Sequence, residues 1–266
     1  MEKITPKLDE SLALHVAGEG LFHGYADPSR EANTGMFGGW TAALLLKAVL
    51  KDVRAEGHAS TICVNYINRV VPGSKLVLRT HPLGGSRSLA HWRSELFLEG
   101  TNDVAATATV ILAQRRESDR FTEGAMPEVP APETMPIIHP PPTFGETIDM
   151  RIASPSDAFN QPTTRSVAWQ REMTSRPMDA VQIVYLSDIG WPRVFAISPA
   201  PRPSSTVTLS VYIHATAPQL TACRSDYILC DMIGTRIEHA TVGSKANLWS
   251  RGGELLATTE QLCWFR

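Results

Sequence analysis

Gly35-Met-Phe-Gly38-Gly39-Trp40-Thr41-Ala-Ala-Leu-Leu-Leu-Lys-Ala-Val-Leu50 is apolar on nearly every side until Lys51-Asp-Val-Arg54. Its alanines and leucines are strong helix formers, and a helix with hydrophobic residues all round its circumference must be buried on all sides. Beyond it the period of the sequence changes. Thr61-Ile-Cys-Val-Asn-Tyr-Ile67, Leu76-Val-Leu-Arg79, Ser88 to Phe97 and Val104 to Ala113 read as strands, separated by turns at Pro72-Gly73, Gly84-Gly85 and Gly100-Thr-Asn102. One buried helix followed by antiparallel strands implies a sheet curved around the helix. Before it, Ser11 to Val16 and Leu21 to Tyr25 suggest a hairpin leading to a loop at Asp27-Pro28.

The second half repeats the pattern. Val167 to Gln170 reads as a strand and Met178 to Ile189 as a helix, with further strands at Thr206–His214, Tyr227–Met232, Ala240–Trp249 and Leu255–Phe265. Tyr66-Ile-Asn-Arg-Val-Val-Pro72 matches Tyr212-Ile-His-Ala-Thr-Ala-Pro218, and Asn102-Asp-Val-Ala-Ala-Thr107 matches Gly253-Glu-Leu-Leu-Ala-Thr258. Between the repeats, Pro127, Pro130, Pro132, Pro136 and Pro140-Pro-Pro142 favour extended chain. The expected organisation is an α+β unit over 1–117, a connector over 118–162 and a second unit over 163–266. The two sheets would join edge to edge around a shared core, as two copies would in a dimer.

Composition narrows the function. The chain has 266 residues, 43% of them hydrophobic, enough for a large core. Its net charge of -2 argues against a general nucleic-acid or anionic-membrane surface, so no nucleic-acid or membrane partner is expected. Cys63, Cys223, Cys230 and Cys263 are scattered without metal-ligand spacing and read as reduced packing residues. Met1 to Glu10 lacks the apolar centre of a signal segment, which makes a cytoplasmic protein the expectation. Gly84-Gly-Ser-Arg-Ser88 lacks the last glycine of a nucleophile elbow, and Gly243-Ser-Lys245 lacks the preceding glycine of a phosphate loop.

The chemical signal lies in Ala180-Val-Gln-Ile-Val-Tyr-Leu-Ser-Asp188-Ile-Gly-Trp-Pro192. At helical spacing Asp188 shares a face with Val181, Val184 and Tyr185, so a carboxylate points where hydrocarbon points. It also sits near a helix C-terminus, where the dipole disfavours it. The alternative is a Ser-Asp pair that organises the next turn. On the last strand, alternation places Gln261 on the apolar face with Ala257 and Thr259, where an amide needs partners, whether at a site or on the backbone. Thr206 alone reads as ordinary strand chemistry. The repeat sets Leu44, Ser60 and Val110 approximately opposite Asp188, Thr206 and Gln261, so one half carries polar groups where the other carries mostly wall. Gly38-Gly39 either lets a ligand reach the helix N-terminus, with its free N–H groups, or simply packs helix against strand.

Helix-in-sheet units in this order, with Met36-Phe-Gly-Gly39 opening one helix and Leu186-Ser-Asp188 closing the other, resemble the acyl-CoA thioesterase II family of double hotdog proteins over roughly 20–115 and 165–266. The resemblance implies hydrolysis of acyl-CoA, as in fatty acid metabolism, without metal or cofactor. It implies Asp188, Thr206 and Gln261 as the catalytic residues that hold the attacking water; Thr206 is placed by Tyr212-Ile-His214 and Gln261 by Leu256-Ala-Thr-Thr-Glu-Gln261. Gly38 and Gly39 would then meet the carbonyl oxygen, and Arg69, Lys75, Arg87 and Arg93 are candidates for the phosphates of coenzyme A. The sequence departs from the family at Thr208 and Leu209, where acidic and His residues are usual. A hydratase or dehydratase of the same fold, or a non-catalytic acyl-CoA-binding protein, are the rival readings. Unpaired sheet edges are compatible with a homo-oligomer.

Overall fold

The computed structural model describes residues 8–266; Met1 to Lys7, part of the stretch that bears on a signal segment, lie outside the described residues. Twelve antiparallel strands form one continuous sheet. They are β1 (His15–Gly18), β2 (Leu21–Tyr25), β3 (His58–Tyr66), β4 (Lys75–Gly85), β5 (Leu89–Leu98), β6 (Val104–Ala113), β7 (Ile148–Ser154), β8 (Ser166–Glu172), β9 (Ser204–Ile213), β10 (Ile228–Glu238), β11 (Thr241–Ser250) and β12 (Leu255–Phe265). Their spatial order is β1-β2-β4-β5-β6-β3-β9-β12-β11-β10-β8-β7, which reads as the same six-strand succession from either edge toward the middle. Two central helices, α1 (Gly38–Lys51) and α2 (Ala180–Leu186), pack together against it. This is the expected double hotdog.

The joint is β3 against β9, with Cys63 opposite Ser210 and Val64 opposite Leu209. Ile62, Val64, Leu209 and Val211 are buried and face the helices, so the core runs unbroken across the seam. Trp40 to Leu46 of α1 are buried without exception, as a helix apolar on all sides requires.

Three details depart from the expectation. Residues 148–154, placed in the connector, form edge strand β7 paired with β8. Helix α2 spans Ala180–Leu186 rather than Met178 to Ile189: Asp179 caps its start by accepting from Gln182 N–H, and Ser187 closes its end, so Asp188 lies in the turn beyond. The repeat also slips by one residue. Bulges interrupt β3 between Ala59 and Thr61 and β9 between Thr206 and Thr208, at equivalent places against β6 and β12. With the bulges aligned, the counterpart of Thr206 is Ala59, not Ser60, while Val110 remains the counterpart of Gln261. Two apolar residues thus mirror two polar ones.

Candidate active site

Asp188, Thr206 and Gln261 come from three elements and meet at one point. Gln261 Nε2 donates to Asp188 Oδ1 at 2.5 Å and to Thr206 Oγ1 at 2.9 Å. An ionised carboxylate only accepts, which turns the amide nitrogen toward Asp188. The amide oxygen then accepts from Ser244 Oγ on β11, at 3.4 Å. Both protons of the amide nitrogen are used, and Thr206 keeps its own hydroxyl proton; Cys263 Sγ lies 3.8 Å from that oxygen.

Thr206 reaches this group because of the bulge. Directly paired residues in antiparallel strands point to the same face. Leu209 pairs with Gln261 and Thr206 with Cys263, and Gln261 and Cys263 share a face of β12. Simple alternation along β9 would send position 206 to the side opposite Leu209. The extra residue, Val207, restores Thr206 to the inner side.

The turn carrying Asp188 is held from both sides. Ser187 Oγ donates to Val184 O at 2.8 Å, and the buried Gln170 donates through Nε2 to Leu186 O at 2.8 Å. Downstream, Arg193 donates through Nε to Trp191 O at 2.9 Å and through Nη1 to Thr164 O and Ser166 Oγ. Ser187 therefore does the structural work that a Ser-Asp pair can do. Asp188 turns away from it.

The carboxylate instead faces the start of α1. Gly39 N–H donates to it, and a Cβ on Gly38 would lie 2.5 Å from Asp188 Oδ2. A charge disfavoured at the C-terminal end of α2 is thus placed at the N-terminal, positive end of α1. Both glycines lie against Asp188: Gly38 leaves it room, and Gly39 bonds it. Burial raises the Asp188 pKa to about 7 despite the opposing hydrogen bonds from Gln261 and Gly39. Such a group is poised to exchange protons at neutral pH.

Tyr66, Ser244 and Cys263 adjoin this site without having been singled out by sequence. Cys263 could have been found by alternation, two residues beyond Gln261. Ser244 and Tyr66 depend on strand register and on a contact across the two halves. His214 is bonded to Thr258, on the face of β12 away from Gln261. Of the cations considered for phosphates, Lys75 lies near Glu99 and Arg93 near Glu95. Among the described residues no three His, Cys, Asp or Glu side chains group as metal ligands, and no helix is long and apolar enough to cross a membrane.

Two family profiles match in tandem, an acyl-CoA thioesterase N-terminal domain over residues 26–113 and an acyl-CoA thioesterase C-terminal domain over residues 122–265. The chain belongs to the acyl-CoA thioesterase family. No curated protein matches the chain in sequence. Among solved structures, a hot dog fold protein of unknown function from Alicyclobacillus acidocaldarius is 29% identical with a TM-score of 0.93, covering 99% of each chain. A thioesterase II from Thermobifida fusca is 17% identical with a TM-score of 0.84, covering 99% of each chain. The acyl-CoA thioesterase II TesB2 of Mycobacterium marinum is 16% identical with a TM-score of 0.78, covering 98% of each chain. This thioesterase family member therefore has the double hotdog fold, and its activity class is thioester hydrolysis.

Proposed function

We propose that the chain hydrolyses acyl-CoA to a free acid and coenzyme A, with Asp188 as general base. The observation that carries this reading is the contact of Asp188, Thr206 and Gln261 at the N-terminus of α1. In the reaction, ionised Asp188 takes a proton from water as its oxygen adds to the thioester carbon. Thr206 holds that water through its own hydroxyl proton, Gln261 orients both Thr206 and Asp188, and with the Gly39 N–H given to Asp188 it is the Gly38 N–H that faces the developing oxyanion. The tetrahedral intermediate then collapses: the C–S bond breaks, and the proton on Asp188 passes to the departing thiolate. No covalent enzyme intermediate forms. The apolar wall opposite, with Ala59 and Val110 at the mirror positions, leaves one reactive centre in the duplicated chain.

Because the base must be ionised, kcat is expected to rise with pH through a midpoint near 7, the value set by burial of Asp188. A pH profile of free-thiol release over short, medium, long and aryl acyl-CoAs tests both substrate and mechanism. Turnover that is flat from pH 5.5 to 8.5, a window of roughly 1.5 on either side of the midpoint, would remove Asp188 from the base role. Saturable binding without thiol release would instead make this a binding protein.

Thr206→Val keeps the side-chain shape and removes the hydroxyl. Loss of one hydrogen bond to the attacking water is expected to lower kcat by about tenfold with KM little changed, and Thr206→Ser should retain most activity. Steady-state kinetics on the two variants checks this.

A further inference from the structure

Tyr66 ends β3, in the half that supplies neither Asp188, Thr206 nor Gln261. Its hydroxyl donates to Gly38 O at 2.9 Å. The same glycine lies between two oxygens: a Cβ there would be 2.5 Å from Asp188 Oδ2 and 3.5 Å from Tyr66 Oη. With the bulges of β3 and β9 aligned, the counterpart of Tyr66 is Ile213, a buried hydrocarbon. A phenol stands on the side that has the carboxylate, and an aliphatic residue on the side that does not.

Helix α1 has no side-chain cap at Phe37, so its first turn depends on other bonds. Phe37 N–H donates to Arg30 O and Thr41 N–H to Phe37 O. The tie from Tyr66 acts on Gly38, one residue from the N–H that meets Asp188. We propose that Tyr66 is a positioning residue for Asp188: by holding the Gly38 carbonyl it fixes the first turn of α1 and keeps the Gly39 N–H aimed at the carboxylate.

That N–H favours the ionised form of Asp188, so loosening it should make the carboxyl harder to ionise. The other ionisable groups around Asp188 do not titrate in the same range. Burial first, then Asp188 and Cys263, hold the Tyr66 phenol well above its usual value of 10.0. Burial pushes the Cys263 thiol up to about 12, and Arg193 stands behind it as a cation. Asp188 is the group among them that titrates near neutrality.

This inference rests on the assignment of Asp188 as the base, and Tyr66→Phe tests it because the ring stays and only the hydroxyl goes. The acid-side midpoint of kcat is expected to move from near 7 toward about 8. At pH 7 kcat falls by about fivefold, the loss approaches about tenfold below pH 6 and shrinks above pH 8.5, and KM changes by less than about twofold. A loss of equal size at every pH, or an unmoved midpoint, overturns the proposal. Infrared difference spectroscopy of the Asp188 carboxyl, with Asp188→Asn as the blank, reads the same midpoint without any substrate. If no thioester is turned over, the acyl-CoA reading fails while the infrared titration still decides the role of Tyr66.

Discussion

Asp188→Asn is expected to lower kcat for thioester hydrolysis by roughly 10²–10⁴, the range for removing a positioned general base. The fold should become more stable at the same time. The folded state holds the proton of Asp188 up to about pH 7, against 3.8 for an ordinary aspartate. Between those values the native chain binds more protons than the unfolded one, so stability falls as pH rises through that window. Asparagine never ionises and escapes the cost. At pH 8 the variant should therefore be more stable by on the order of 2 kcal/mol, or about 4–8 °C in Tm, converging on the wild type near pH 4. Activity and thermal unfolding, measured across pH, check both signs. A variant that loses activity but is destabilised at pH 8 would mean that the carboxylate is held by attraction and not strained by burial.

The adjacent glycines are expected to separate function from folding. At Gly38→Ala the new Cβ meets a side-chain oxygen, Asp188 Oδ2, at 2.5 Å. The carboxyl can rotate away, so the main effect is on chemistry: kcat falls by about 10²-fold while Tm changes little. At Gly39→Ala the obstacle is backbone, Tyr185 O, which stands closer still, with the Phe37 ring at 2.7 Å on the other side. Neither can move without parting α1 from α2. Overpacking of this kind costs roughly 1–3 kcal/mol, a fall of about 2–12 °C in Tm. Kinetics and calorimetry on the pair give opposite rankings if Gly38 serves the site and Gly39 also serves the helix contact.

Placing Asp188 between the helices explains why one residue breaks two local rules. Its charge is unfavourable at the end of α2 and among apolar neighbours, and the N–H of Gly39 and the amide of Gln261 offset only part of that penalty. The aromatic contacts behind this helix start, Phe37 stacked on Phe144 at 4.1 Å and edge-on to Tyr185 at 5.5 Å, give it a rigid backing. Phe144 comes from the proline-rich stretch between the repeats, which thereby packs into the core.

Local pattern was enough for the architecture. A helix apolar on every side cannot face water, strands of period two must bury one face, and the same succession occurring twice has to join two sheets. Asp188 was legible because a carboxylate on an apolar face violates a rule that concerns only near neighbours, and Gln261 because alternation along one strand fixes its face. Thr206 was not legible in this way: one inserted residue, Val207, reverses the face it occupies, and a bulge is defined by the partner strand. Ser244 and Tyr66 depend likewise on register and on contact between halves, because hydrogen bonds join atoms close in space whatever their separation along the chain. The chain alone therefore determined which elements form and where a misplaced charge lies, and only the tertiary structure decided which groups surround that charge and which proton each of them holds.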